Sequence, residues 1–174
     1  AKETGIEIYP VVRAIDAYRV MEEAKTEVYL QKPEEGELET EGILLNHSDY
    51  RLEPGTIRNW LKKVNKQKTI LCLQSLGQAQ SWGRKLKPTF FAFEPRELIG
   101  NKEKSVASEY KITIEKMVKL ISPTPLLVGA GIHCREDVKV ARAAGAGGIL
   151  VATDVVKAED PEKELRELAE AFSV

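Results

Sequence analysis

No hydrophobic run in the chain approaches the ~20 residues that a membrane-spanning helix needs, and no signal-peptide pattern opens it. Neither a membrane partner nor secretion is therefore expected. Cysteine is scarce: Cys72 and Cys134 stand alone, with no Cys-x-x-Cys pair. Scarce, separated thiols fit a reducing cytoplasm, although two cysteines are enough for one disulfide. Histidine is equally scarce. His47 and His133 have no third or fourth ligand spaced to join them, so no metal is expected, and no motif asks for a cofactor. No sign of charge dominates, since 26 basic and 27 acidic residues are interspersed for a formal net charge of -1. No basic stripe calls for nucleic acid, and no charged block suggests a tail. Low-complexity segments and sequence repeats are absent as well. What is there is 174 residues, 43% of them hydrophobic, enough for a single domain over residues 1–174 with a sizeable core.

Strand and helix signals alternate almost throughout. The pattern predicts strands over residues 6–9, 26–30, 42–46, 69–73, 89–93, 126–128 and 148–151. It predicts helices over residues 14–24, 54–67, 77–86, 112–121, 135–144 and 161–172, the last with Pro161 in its first turn. Strands that are almost purely apolar, each followed by a helix, mean an α/β fold with a parallel sheet covered by helices. The seven strands are one short of the eight of a closed (β/α)8 barrel. One connection stands out. Residues 31–41 are polar and acidic, without helical apolar spacing, where a parallel crossover usually carries a helix. Either this crossover is unusually lean, or residues of the whole protein are absent from the sequence.

The most informative stretch runs from Phe90 to Gly100. Phe90, Phe91, Ala92 and Phe93 read as a buried strand, and Pro95 ends it because proline cannot donate to a ladder. Glu94 is thereby placed at the rim of the sheet, where parallel-sheet enzymes carry their reactive groups. The plain alternative is a rim glutamate facing water. Asn46 and His47 end a strand in the same way, and a histidine there suits a general acid or an electrophile. On the residues alone, a loop histidine is the plainer reading for both His47 and His133. Gly129, Ala130 and Gly131 leave bare backbone at one strand end, and Val151, Ala152, Thr153 and Asp154 close the next with mostly small residues. Adjacent turns of this kind can wrap a phosphate with N–H groups, as barrels commonly do after their last two strands.

Taken together, four stretches resemble the triosephosphate isomerase family, in its short archaeal type. They are Leu45-Asn46-His47-Ser48, Phe93-Glu94-Pro95-Arg96-Glu97-Leu98-Ile99-Gly100, Val128-Gly129-Ala130-Gly131-Ile132 and Gly148-Ile149-Leu150-Val151-Ala152. Residues 136–138 and 156–161 also look like the family's final helices, so the likeness runs from about Gly5 to the C-terminus. The resemblance implies a TIM (β/α)8 barrel, incomplete as the sequence stands. It implies interconversion of glyceraldehyde 3-phosphate and dihydroxyacetone phosphate, a step of glycolysis and gluconeogenesis, with triose phosphate as the small-molecule partner. By motif, His47 matches the electrophile and Glu94 the base. Ile99, Gly131, Ala152 and Thr153 match positions that line the substrate and its phosphate. The family is itself the usual example of a glutamate base paired with a neutral histidine. The segment over residues 95–106 matches its water-excluding lid.

The chain also departs from the family. The family opens on a strand ending in Asn-x-Lys, whose lysine contacts substrate, and no lysine here matches it. Asp49 stands where the family usually has glutamate, and Asn101, Lys102, Glu103 and Lys104 replace the glycine-rich lid tip of many relatives. The expectation is that an N-terminal segment and part of the third βα unit are missing from the sequence. A sheet left open presents apolar edges where a barrel has none, so a homo-oligomer is expected. The alternative function is a non-catalytic relative or fragment that keeps the phosphate grip for binding or assembly. Presence of the lysine in the whole protein discriminates the two.

Overall fold

The computed structural model describes residues 11–13, 42–63 and 68–173. Six strands form one sheet in the order of the sequence: β1 (Val11–Arg13), β2 (Gly42–Leu45), β3 (Lys68–Leu73), β4 (Phe90–Phe93), β5 (Leu126–Val128) and β6 (Gly148–Ile149). Every neighbouring pair is parallel. Sequential parallel neighbours are the winding of a barrel; a doubly wound sheet reverses its order at a switch point. The helices are α1 (Pro54–Lys63), α2 (Leu76–Trp82), α3 (Val106–Glu109), α4 (Lys111–Ile121), α5 (Arg135–Ala143), α6 (Thr153–Val156) and α7 (Pro161–Ser173).

The two faces of the sheet carry different cores, as the two-residue period of a strand requires. Ile43, Leu45, Leu71, Leu73, Phe91, Phe93, Leu126 and Val128 pack with Ile57, Ala79, Ile114, Met117, Ile121, Val138 and Leu168 from the helices. On the opposite face Leu44, Ile70, Cys72 and Ala92 form a smaller cluster with Phe90, Leu127 and Leu150. Among the described residues that second cluster holds only strand side chains and Leu150, the make-up of a barrel interior. Glu94 continues the parity of Phe90 and Ala92, and Asn46 that of Leu44. The alternation therefore turns both polar side chains toward the inner face at its carboxyl end.

The expected strands at residues 6–9 and 26–30 and the helix at 14–24 lie outside the described residues, as does the connection at 31–41. Within them, β1 falls at Val11–Arg13, where the apolar pattern had placed no strand, and it pairs directly with β2. Other differences are local. The strand expected through Asn46 stops at Leu45, because Asn46 turns left-handed at φ 58°. The helix expected over 77–86 spans Leu76–Trp82; Ser75 caps it by accepting from Gln78 N–H at 3.3 Å. Leu86, which extended the apparent period, is buried from the following turn.

Candidate active site

Asn46 organises the loop after β2. Asparagine is one of the few residues that adopt the left-handed conformation readily. The turn brings its buried amide back across the sheet, where Nδ2 donates to Cys72 O at 2.9 Å and Oδ1 accepts from Leu52 N–H at 3.0 Å. Its carbonyl accepts from the Arg51 guanidinium. The loop is thereby folded onto β3, and His47 follows directly.

Glu94 lies at the end of β4, its backbone N–H donating to Leu73 O at 3.1 Å. It is only 8% exposed, the one buried charged side chain among the described residues. Oε2 accepts from the Cys72 thiol at 3.2 Å and stands 3.6 Å from His47 Nε2. The second distance exceeds a hydrogen bond. Burial raises the Glu94 carboxyl above the usual carboxylate range, while the Cys72 hydrogen bond and the nearby Arg51 charge pull the other way. Burial, and then the Glu94 charge, push the Cys72 thiol well up, so it stays a donor. A carboxylate short of water and only partly compensated is a stronger base than a solvated one.

Gly129 makes room for this carboxylate. A Cβ there would stand 2.9 Å from Glu94 Oε1, 3.1 Å from Glu94 Cγ and 3.1 Å from Leu150 O. Only glycine lets the backbone after β5 approach so closely.

His47 is half-buried, and its Nδ1 meets an Asp49 carboxylate oxygen. An acceptor on Nδ1 favours a proton there. For Nε2 to donate to a carbonyl, the ring must then carry both protons or release Asp49. The expected neutral imidazole requires the second.

The turn after β5 holds two consecutive left-handed residues, Ala130 at φ 71° and Gly131 at φ 73°. Alanine rarely accepts this conformation, and such strain persists where the surroundings fix it. The fixing contacts come from the segment that follows Glu94. Val106 N–H donates to Ala130 O at 3.1 Å, and a Cβ on Gly131 would meet Lys104 O at 2.4 Å. Ala152 and Thr153 sit on the adjacent turn, exposed, at the start of α6. Leu150 N–H to Val128 O at 2.9 Å carries the pairing up to that turn. Among the described residues no acceptor meets the N–H of Gly131, Ala152 or Thr153.

The structure thus brings Glu94 and His47 together and sets Gly131, and Ala152 with Thr153, on the turns that follow the adjacent strands β5 and β6. Ile99 is different: it ends the 3-10 turn Arg96–Leu98 and is 39% exposed, not folded over the site. Sequence reasoning missed Cys72, Arg51 and Gly129 as neighbours of Glu94. For Cys72 a signal existed, since the parity that turns Ala92 and Glu94 inward does the same for its register partner Cys72. Among the described residues no cluster of three metal-ligating side chains occurs, and no helix is long and apolar enough to cross a membrane.

The family model of triosephosphate isomerase matches residues 57–172. A triosephosphate isomerase of Thermoplasma volcanium is 40% identical over 131 residues, covering 73% of this chain and 61% of the relative. That of Cenarchaeum symbiosum is 36% identical, covering 79% of this chain and 64% of the relative. That of Methanobacterium bryantii is 31% identical, with coverage of 97% and 83%. The chain thus spans about three-fifths of the length of the first two relatives. Among solved structures, a mandelate oxidase superposes with a TM-score of 0.62 at 16% identity, over 99% of this chain and 59% of that one. A thiamine phosphate pyrophosphorylase of Pyrococcus furiosus gives 0.57 at 16% identity, over 76% and 59%. At such identity these two speak for the barrel fold alone. Matched by the family model over residues 57–172, the chain belongs to the triosephosphate isomerase family.

Proposed function

We propose that the protein interconverts glyceraldehyde 3-phosphate and dihydroxyacetone phosphate, with Glu94 as base and His47 as electrophile. The observation that carries this reading is the buried Glu94 carboxylate, raised by desolvation and 3.6 Å from His47 Nε2 at the carboxyl end of the sheet. Glu94 removes a proton from the carbon beside the carbonyl, and the electron pair moves to make an enediolate. Once Asp49 releases Nδ1, His47 Nε2–H donates to the oxygen on which charge develops. The hydroxyl on the neighbouring carbon gives up its proton to the first oxygen by way of His47 Nε2, and Glu94 returns its own proton to that carbon, which completes the isomerisation with no net change in atoms or electrons. Gly131, Ala152 and Thr153 hold the phosphate through backbone N–H groups, and Ile99 moves in when the segment over residues 95–106 closes as a lid.

The protein is also read as a cytoplasmic homo-oligomer. Free cysteines at Cys72 and Cys134 support the first part, and the second rests on the tendency of an open parallel sheet to associate through its edges. Turnover of glyceraldehyde 3-phosphate by the full-length protein, coupled to reduction of dihydroxyacetone phosphate, tests the function. Isomerisation is expected; its absence in a folded, full-length protein overturns the reading.

A further inference from the structure

His133 takes no part in the chemistry just described, yet it touches the segments that would grip phosphate. Its backbone N–H donates to Asp137 Oδ2 at 3.0 Å, which ties it to the first turn of α5. Its ring Nδ1 meets Asp154 Oδ1 at 2.9 Å, and Asp154 directly follows Thr153 in α6. Its Nε2 is buried, has no partner among the described residues, and would lie 3.2 Å from a Cβ on Gly131. The same Cβ would stand 3.1 Å from Ser105 Cα, so Gly131 is packed between the imidazole and the end of the lid segment. Among the described residues, the backbone pairing between the turns after β5 and β6 ends at Leu150 N–H. Beyond it the His133–Asp154 contact spans the gap.

We propose that His133 is a positioning residue for the phosphate grip. By holding Asp154 it sets how far the Ala152–Thr153 turn stands from the Gly131 turn, so that one phosphate meets N–H groups from both. This inference rests on the reading of these turns as a phosphate site and adds the strap that spaces them.

The test uses the full-length protein with His133→Ala, Asp154→Ser, the double variant and His133→Asn. Asparagine places a donor near the position of Nδ1 and can keep the bond to Asp154. The readouts are the calorimetric Kd for inorganic phosphate, kcat and KM for triose phosphate, and the melting temperature. Each single loss is expected to raise Kd and KM roughly three- to tenfold, the range of one charge-assisted bond at a half-exposed site, with kcat little changed. The double variant should be no worse than the weaker single one, and His133→Asn should restore most of the affinity. Additive losses, or a lowered melting temperature with phosphate affinity intact, overturn the strap. If the parent itself neither binds phosphate nor isomerises triose phosphate, the functional reading falls and the strap with it. If the parent does both and the single variants bind phosphate as it does, only the strap falls.

Discussion

Replacing Gly129 with alanine perturbs Glu94 without altering either of the side chains proposed to react. The φ of Gly129 lies outside the left-handed region, so alanine meets no backbone obstacle there. The obstacle is contact. The new methyl would be 2.9 Å from Glu94 Oε1, about half an ångström inside ordinary van der Waals distance, and it cannot retreat because Leu150 O is 3.1 Å away. Backbone cannot yield cheaply, so the carboxylate must. Overpacking of this sort costs ~1–3 kcal/mol of stability. A misplacement of ~1 Å costs ~10²-fold in rate, so half of that predicts a fall in kcat of about tenfold, with KM little changed because the proposed phosphate grip lies elsewhere. Steady-state turnover of the full-length protein, with melting followed in parallel, gives both numbers. In a Glu94→Gln background the same substitution should lower kcat no further, because the group it displaces is already disabled. A Gly129→Ala protein with parental kcat would refute the idea that this glycine sets the base.

Glu94→Gln should make the protein more stable at neutral pH, since it removes a carboxylate that burial disfavours. The sign follows from its raised pKa: the folded state binds that proton more tightly than the unfolded chain, so parental stability falls as pH rises from the ordinary carboxylate range of ~4.3 through the folded value. Melting curves from acid to neutral pH should show the variant's advantage growing with pH; a gap that ignores pH would contradict burial as the cause. Cys72→Ala removes the thiol donor to Glu94, so the carboxyl should rise further and the acid limb of kcat/KM should move to higher pH. An unmoved limb would mean that the thiol contact does not tune the base.

The rim of the sheet was readable because a strand and its end leave simple signals. Phe90 to Phe93 read as a strand and Pro95 fixes where it ends, so the place of Glu94 at the rim was legible; that it turns inward rather than to water follows from its parity with Phe90 and Ala92, a step the sequence reading did not take. The turn residues were less plain, because glycine after a strand is usually only a turn; Gly129 to Gly131 gained meaning from standing on one of the last two strands. The rest was illegible for physical reasons. Cys72, Arg51 and Gly129 meet Glu94 through space, from three different loops and strands, and no spacing along the chain records that. Helices α3 and α6 are each about one turn long, too short for a 3.6-residue period to register. The His133–Asp154 contact joins residues whose types, taken singly, look like ordinary loop polarity. The boundary errors at Asn46 and Leu86 share one cause: an apolar or motif-bearing residue continued the period after the backbone had already turned.

The most direct measurement is triose phosphate turnover of the full-length protein against its Glu94→Gln variant. Glutamine keeps the size and most of the hydrogen bonding but removes the lone pair that must accept a carbon-bound proton. General-base catalysis contributes ~10²–10⁴-fold, so kcat should fall by at least that factor while KM holds. Glu97→Gln is the control: this exposed carboxylate accepts from the Tyr110 hydroxyl, away from His47, and its loss should be far milder. An active parent whose Glu94→Gln variant turns over at the parental rate would show that the base lies elsewhere.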